Sequence, residues 1–242
     1  MKIFKFIFTA YAILIFVLLM LLFCPFIMLP ILISEKGGKP AFFFIRWWAR
    51  SWSFLVGIRY RVHGLQHIDP QTAYIFIFNH RSFLDAPVIP IAIPQEIRAL
   101  GKKELSKIPV FGTITSRVAV WVDRNSPESK KASLNRLLEF LKKDISLVVA
   151  PEGTRNSSEL TLLPFKLGAF RLSIETQTPL LPMAIIGADR LLKRGTLQLN
   201  PGIIDIYFSA PIVPPISNSQ EAILELKEKC YNRLEAMILT HE

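Results

Sequence analysis

The chain has 242 residues, which suits one domain with an appendage or two small domains. Hydrophobic residues make up 51% of the chain and charged residues 20%, and both values depart from a soluble average in the direction of a membrane protein. The net charge of +10 favours an anionic partner, but the chain lacks a dense basic stripe, a zinc-finger spacing or an RNA-binding aromatic pattern, so we expect no nucleic acid partner.

The first element is a long apolar segment, because residues 6–33 contain no charged side chain. A helix over residues 6–24 would be about 28 Å long, which is close to the thickness of the hydrocarbon layer. The run is too long for the core of a signal peptide, and residues 24–26 make a poor cleavage site, so we expect the segment to be retained. Pro25 and Pro30 are expected to break or kink this helix.

A second apolar segment, residues 41–58, is rich in tryptophan and arginine, which together suit the headgroup layer of a membrane. One interpretation is a transmembrane helix that is followed by an interfacial helix. The other is a monotopic two-helix hairpin in one leaflet. In both cases residues 1–59 form a membrane anchor.

The orientation of the anchor follows from the charges beside the apolar run. Basic residues within residues 36–61 outnumber Lys2 and Lys5, which precede the run. Because positive charge favours the inner side of a membrane, we expect the remainder of the chain on the cytoplasmic side of the inner membrane.

Beyond residue 60 the sequence alternates between short apolar runs and amphipathic stretches. The apolar runs predict strands at residues 74–78, 97–100, 119–122, 147–150, 180–186 and 203–208. Helices are predicted over residues 127–143 and 219–239. Strands that alternate with helices indicate an α/β domain in residues 60–242. We predict a central mixed, mostly parallel sheet that is flanked by helices.

Residues 79–85 directly follow the first predicted strand, where α/β domains place their chemistry. A histidine such as His80 takes up protons near neutral pH and works best when a carboxylate fixes its tautomer. If a helix begins just after His80, the spacing brings Asp85 to the same end of one turn. Two other interpretations make Asp85 a helix-capping residue, alone or together with Ser82, and His80 an ordinary hydrogen-bonded polar residue.

Further polar residues follow the later strands. Lys102 lies beyond residues 97–100, Arg124 lies beyond residues 119–122, and residues 152–155 form a small-residue turn after residues 147–150. Such a turn can point backbone N–H groups at an anion, and an adjacent arginine can bind phosphate with two donors. Each segment alone is a common loop, for which a solvated face or a surface ion pair is the plainer interpretation.

In this order the segments resemble the four blocks of the glycerolipid acyltransferase family, and within it the bacterial 1-acyl-glycerol-3-phosphate acyltransferases. The first block, Asn-His-x4-Asp, is matched by Asn79, His80 and Asp85. The other blocks are matched by residues 102–112 with the pair 123–124, by residues 151–155 with 165–168, and by residues 181–184. The resemblance covers roughly residues 60–215.

The resemblance implies that a fatty acyl group moves from an acyl-CoA or acyl-ACP thioester to the sn-2 hydroxyl of 1-acyl-sn-glycerol-3-phosphate (lysophosphatidic acid). The product is phosphatidic acid, and no acyl-enzyme forms. His80 would remove the proton of the hydroxyl, while Asp85 would orient the imidazole and stabilise the imidazolium. The expected partners are the phospholipid bilayer, lysophosphatidic acid and the acyl donor, which is a co-substrate. No cofactor or metal is expected.

The resemblance also implies the residues that bind the acceptor, namely Lys102, Arg124, Glu152, Gly153, Thr154 and Arg155. Lys102, Arg124 and Arg155 would bind the phosphate, and Glu152 would form a hydrogen bond to the glycerol or hold Arg155.

Three alternatives stay open. The same fold could acylate glycerol-3-phosphate, another lysophospholipid or a lyso-ornithine lipid. A His/Asp thioester hydrolase would need a water site and no phosphate-binding residues, and a membrane tether without enzymatic activity would not need His80. The sequence leaves the acyl chain length, the type of donor and the oligomeric state open.

Overall fold

The computed structural model describes residues 2–33, 38–115, 118–123, 125–192, 196 and 198–242. The helices are α1 (Lys2–Ile33), α2 (Gly38–Leu55), α3 (Asp85–Ala92), α4 (Phe111–Thr115), α5 (Pro127–Leu141), α6 (Gly168–Thr176), α7 (Ala188–Leu191) and α8 (Gln220–His241). The strands are β1 (Ile58–His63), β2 (Ile75–Phe78), β3 (Ile97–Lys102), β4 (Ala119–Val122), β5 (Ser146–Val149), β6 (Leu180–Ile186) and β7 (Gly202–Phe208). Two short 3₁₀ helices lie at Leu65–His67 and Lys103–Lys107.

The seven strands form one sheet in the order β1-β7-β6-β2-β5-β3-β4. Among the strands of the described residues, only β6 and β7 pair in the antiparallel sense, and the other five pairs are parallel. The predicted mixed, mostly parallel sheet with flanking helices is therefore confirmed. Because β2, β5, β3 and β4 are parallel neighbours, the loops after their carboxyl ends lie side by side.

The central strands are buried along their whole length, since both faces of the sheet are covered. Along β2 the side chains alternate between two cores. Phe76 and Phe78 point into a core that includes residues of α2 and α3. Ile75 and Ile77 point into the opposite core, which includes residues of α5, α6 and α8.

The two N-terminal helices pack side by side as an antiparallel hairpin. The indole Nε1 of Trp52 donates to the backbone oxygen of Ala12 at 2.9 Å, and the ring of Phe26 lies 5.4 Å from that of Phe44. Among the described residues, only α1 contains a segment, Lys5–Ile33, that is long and apolar enough to cross a membrane.

Helix α1 continues through Pro25 and Pro30, so of the predicted break or kink the break does not occur. A proline removes one backbone hydrogen bond, but packing of an apolar face can hold the remaining turns together. Ile27, between the two prolines, is fully buried in a cluster with Ala41 and Trp48 of α2. The tertiary contact with α2 therefore outweighs the local preference of proline.

The anchor and the sheet share a core. Phe42 near the start of α2 and Val56 just after its end belong to the same buried cluster as Phe76 of β2. The predicted second segment, residues 41–58, ends earlier than expected, because the chain turns at Gly57 with φ 68° and enters β1 at Ile58. The predicted division between residues 59 and 60 thus falls inside an edge strand.

Candidate functional site

The candidate site lies at the carboxyl edge of the parallel strands. His80 follows β2, the turn of residues 151–155 follows β5, and Lys102 ends β3. Since these strands are neighbours in the sheet, the first two segments are adjacent and Lys102 lies one strand further away. Arg124, which follows β4, lies outside the described residues, so its part in the site stays a prediction.

His80 and Asp85 are in direct contact, as their spacing in the sequence suggested. The His80 Nδ1 atom lies 2.7 Å from Oδ2 of Asp85. Asp85 is the first residue of α3 and is only 1% exposed. Its Oδ2 also accepts the backbone N–H groups of Arg81 at 3.1 Å and Ser82 at 3.0 Å. Both donors lie in the loop that precedes α3. The carboxylate therefore stabilises the loop that carries His80 and does not cap the helix.

The contact fixes the tautomer of the imidazole. A carboxylate can accept but cannot donate, so in the neutral imidazole Nδ1 of His80 bears the proton and Nε2 carries the lone pair. Burial raises the pKa of Asp85, while the hydrogen bonds from His80 and from the backbone of Ser82 and Arg81 act in the opposite direction. This pair has the arrangement of a general base with its orienting carboxylate.

The backbone around His80 is tied to the loop after β5 and to strand β6. Its N–H donates to Oε1 of Glu152 at 2.9 Å, and its carbonyl oxygen accepts the N–H of Asn156 at 2.7 Å. The preceding residue, Asn79, is fully buried and exchanges two side-chain hydrogen bonds with the backbone of Ile185 in β6, at 2.9 and 2.7 Å. The backbone that carries the imidazole is therefore held in place by the loop after β5 and by strand β6.

Glu152 is occupied by backbone donors. Its second oxygen, Oε2, accepts the N–H of Leu163 at 2.9 Å, and the residue is 2% exposed. Burial raises the pKa of Glu152, and the two backbone hydrogen bonds act against this rise. The expected contact of Glu152 with a glycerol stays a prediction, and the geometry adds a positioning role for His80.

The other predicted acceptor-binding residues are spread over this edge. The guanidinium of Arg155 lies 3.5 Å above the ring of Phe83, in a cation–π contact. Gly153 has φ 72°, which favours glycine, and Thr154 is exposed. The ammonium of Lys102 is half-exposed and lies 3.3 Å from Oε1 of Glu104.

A cavity of about 610 Å³ begins beside His80 and lies between the sheet and helices α5 and α6. Its wall is mainly apolar, with Leu134 and Leu137 of α5 opposite Leu172 of α6. Both helices begin at the carboxyl edge of the sheet, so the cavity descends from that edge into the domain. It can hold an apolar chain whose reactive end lies at the imidazole.

Sequence reasoning missed two charged residues of this cavity, Lys130 and Lys166. Lys166 lines the wall, and a Cβ atom added at Gly153 would lie 3.3 Å from its Cγ. The signal that could have found Lys166 is the Phe-Lys-x-Gly segment, which places a lysine next to the turn of residues 151–155. Asn156, which holds the backbone of His80, was missed because nothing in the sequence indicates a backbone partner so distant along the chain.

Neither cysteine is positioned as an acyl acceptor. Cys230 lies in α8, and burial raises the pKa of its thiol to about 12. Cys24 lies in α1, on the anchor. The hydroxyl of Ser82, the serine nearest to His80 in sequence, donates to the backbone oxygen of Leu192 at 2.9 Å.

The chain was compared with a family model, with similar proteins and with solved structures. A family model described as Acyltransferase matches residues 59–186. Similar proteins named 1-acyl-sn-glycerol-3-phosphate acyltransferase occur in Cocos nucifera and Limnanthes alba. The first is 32% identical over 58% of this chain and 46% of that protein, and the second is 30% identical over 66% and 56%. The chain therefore spans about half the length of the curated relatives it matches.

A relative from Mus musculus, named 1-acyl-sn-glycerol-3-phosphate acyltransferase alpha, is 29% identical over 68% of this chain and 57% of that protein. Among solved structures, the 1-acyl-sn-glycerophosphate (LPA) acyltransferase PlsC from Thermotoga maritima superposes with a TM-score of 0.85 at 23% identity. The match covers 100% of this chain and 98% of that one. At this identity the superposition shows that the fold is shared.

Proposed function

The chain belongs to the Acyltransferase family, and we propose that it transfers a fatty acyl group to the sn-2 hydroxyl of 1-acyl-sn-glycerol-3-phosphate to make phosphatidic acid. The donor is an acyl-CoA or acyl-ACP thioester. The observation that supports this most strongly is the His80–Asp85 contact of 2.7 Å at one end of an apolar cavity. A base and an acyl-binding space are thereby adjacent.

The reaction follows from this geometry. Nε2 of His80 removes the proton from the acceptor hydroxyl while its oxygen attacks the carbonyl carbon of the thioester. The imidazolium that forms is stabilised by Asp85 and then returns the proton to the leaving thiolate as the carbon–sulfur bond breaks. The products are the new ester and the free thiol.

The surroundings of His80 favour direct transfer over an acyl-enzyme. A nucleophilic serine or cysteine would need its side chain within hydrogen-bond reach of the base. Ser82 is bonded to Leu192 instead, and neither cysteine lies in a loop of the site. The acceptor hydroxyl is therefore the nucleophile.

The acceptor phosphate is bound at the carboxyl edge of β3, β4 and β5. Arg155 provides a planar fork that matches phosphate oxygens, and the ring of Phe83 holds the guanidinium in place. Lys102 adds positive charge from the end of β3, and Arg124, which lies outside the described residues, would add more. Binding at this edge places the glycerol between the phosphate site and His80.

The anchor, residues 1–59, holds the domain at the bilayer as a hairpin in one leaflet. Helix α2 contributes Phe42 and Trp52 to the domain core, so it lies along the globular part. Because α1 packs antiparallel on α2, it also lies along the domain, with an exposed apolar face that includes Leu14, Leu18 and Leu22. Lysophosphatidic acid resides in the membrane, so the hairpin brings the site to its acceptor.

The proposed function is tested with the full-length protein purified in detergent. One radiolabelled acyl-CoA is offered with lysophosphatidic acid, glycerol-3-phosphate, a choline lysophospholipid, a lyso-ornithine lipid or water as acceptor. We expect labelled phosphatidic acid as the main product. Free fatty acid as the main product would identify a hydrolase, and preferential labelling of another acceptor would move the protein to that substrate.

A further inference from the structure

A second groove, of about 440 Å³, lies between α2, β1 and α3. Two arginines line it, Arg50 from α2 and Arg59 from β1, and both are exposed. No acidic residue lines the groove, and within the described ranges neither arginine forms an ion pair with a carboxylate. The fold thus brings two cations to one groove without an anion to balance them.

A third arginine adds to the positive potential. Arg46 lies one turn before Arg50 on α2, and burial together with the charge of Arg50 lowers its pKa. The guanidinium of Arg46 is already hydrogen-bonded within the protein, because it donates to the backbone oxygens of Pro90, Ile93 and Pro94 at 2.7–2.8 Å. Like charges one turn apart are unfavourable in an isolated helix. An anion in the groove would relieve this repulsion.

The remaining wall of the groove is apolar. Phe54 and Leu65 line it and are 82% and 46% exposed, and Ile91 of α3 adds to the same wall. Cations beside exposed apolar side chains match a molecule with an anionic head and a hydrocarbon tail.

The groove begins at the edge of the sheet where His80 lies and extends along β1 towards Leu65, which follows the other end of that strand. Strand β7 is antiparallel to β6, and β1 is parallel to β7, so β1 runs opposite to β2. Ile58 at the start of β1 therefore lies at the edge where β2 ends. Leu55 at the end of α2 also lies here, and its backbone oxygen accepts the hydroxyl of Tyr11 in α1. The groove is thus continuous with the apolar hairpin.

We propose that this groove binds an anionic phospholipid of the bilayer, separate from the substrate site. The phosphate lies between the guanidinium groups of Arg50 and Arg59, and one acyl chain lies against Phe54 and Leu65. Arginine suits this position because its planar fork donates two hydrogen bonds to phosphate oxygens. The bound lipid fixes the depth of the domain at the membrane surface and does not take part in acyl transfer.

The test measures lipid retention rather than activity. The full chain in detergent is titrated with phosphatidylglycerol or phosphatidylcholine, and bound lipid is counted by native mass spectrometry. The variant is the pair Arg50→Gln and Arg59→Gln. The matched control is Arg136→Gln with Arg233→Gln, which removes two exposed arginines from α5 and α8.

We expect the wild type and the control to retain one phosphatidylglycerol in preference to phosphatidylcholine. The Arg50/Arg59 variant should bind phosphatidylglycerol about tenfold or more weakly, since it loses charge-assisted hydrogen bonds to the phosphate. Phe54→Ser, at a largely exposed position that tolerates a polar side chain, should also weaken binding. Undiminished affinity in the arginine variant, an equal loss in the control, or no effect of Phe54→Ser would each overturn the proposal.

Discussion

The backbone N–H of His80 donates to Oε1 of Glu152 at 2.9 Å, although the two residues are 72 positions apart in the chain. The other oxygen of this buried carboxylate accepts the N–H of Leu163. One side chain therefore joins the loop after β2 to the loop that follows β5. The position of the imidazole depends on Glu152 whether or not the same carboxylate also contacts substrate.

Replacing Glu152 by glutamine should lower kcat more than it changes either Michaelis constant. The amide has one acceptor oxygen for two backbone donors, so one N–H loses its partner at a cost of about 1–3 kcal/mol. Steady-state kinetics and a melting curve measure both effects. Glu159→Gln, in the same loop and exposed, is the matched control and should behave as wild type. A raised acceptor Michaelis constant with unchanged kcat would instead indicate a substrate contact.

The stability of the protein should depend on pH through Glu152. Because burial raises its pKa, the folded protein keeps this proton at pH values where the unfolded chain has lost it. The unfolding free energy therefore falls as the pH rises from the unfolded pKa of about 4.3 towards the raised folded value. Melting temperatures of wild type and Glu152→Gln, measured across this window, should converge as the pH rises. A difference between the two melting temperatures that grows as the pH rises would contradict this prediction.

Arg155→Lys should raise the Michaelis constant of the acceptor and leave that of the donor nearly unchanged. Lysine keeps the charge but loses the planar fork for phosphate and the stacking on Phe83. Arg155→Ala should be worse. Kinetics in which each substrate is varied in turn provide the measurement, and Arg171→Lys on α6 is the control. A selective defect for the donor would move Arg155 to the thioester side of the site.

Leu134→Phe should shift the preference of the protein towards shorter acyl donors. Leu134 lines the cavity beside His80, and a larger ring there shortens the space for a hydrocarbon chain. We expect kcat/KM to fall for long-chain donors and to change little for short ones, in a series of acyl-CoA substrates. Leu138→Phe, one turn further and outside the cavity lining, is the control. An equal loss for all chain lengths would indicate general damage to the core.

The sequence predicted those parts of the fold that depend on local pattern. Ala119–Val122 and Leu180–Ile186 have the predicted ends, because each is a continuous apolar run. Strand β1 was missed, since it is an edge strand in which exposed basic residues alternate with apolar ones. Helix α6 was missed because it has nine residues and no side-chain cap.

The candidate site also contains contacts that the sequence indicates and contacts that it does not. The contact of His80 with Asp85 spans five residues, so a single turn brings them together and the spacing indicated it. The contacts of His80 with Glu152 and Asn156 join distant segments through backbone atoms, which have no sequence signature. The continuous helix through Pro25 likewise depends on packing against α2, which local propensity does not include.

The most direct test of the proposed mechanism is the rate of phosphatidic acid formation by His80→Ala and Asp85→Asn. Loss of a general base typically costs about 10²–10⁴-fold in rate, and loss of the orienting carboxylate has cost about 10⁴-fold in a protease triad. We predict losses of this size in both variants, with membrane association and the binding of both substrates retained. Transfer by correctly folded His80→Ala at a rate close to that of the wild type would contradict the account.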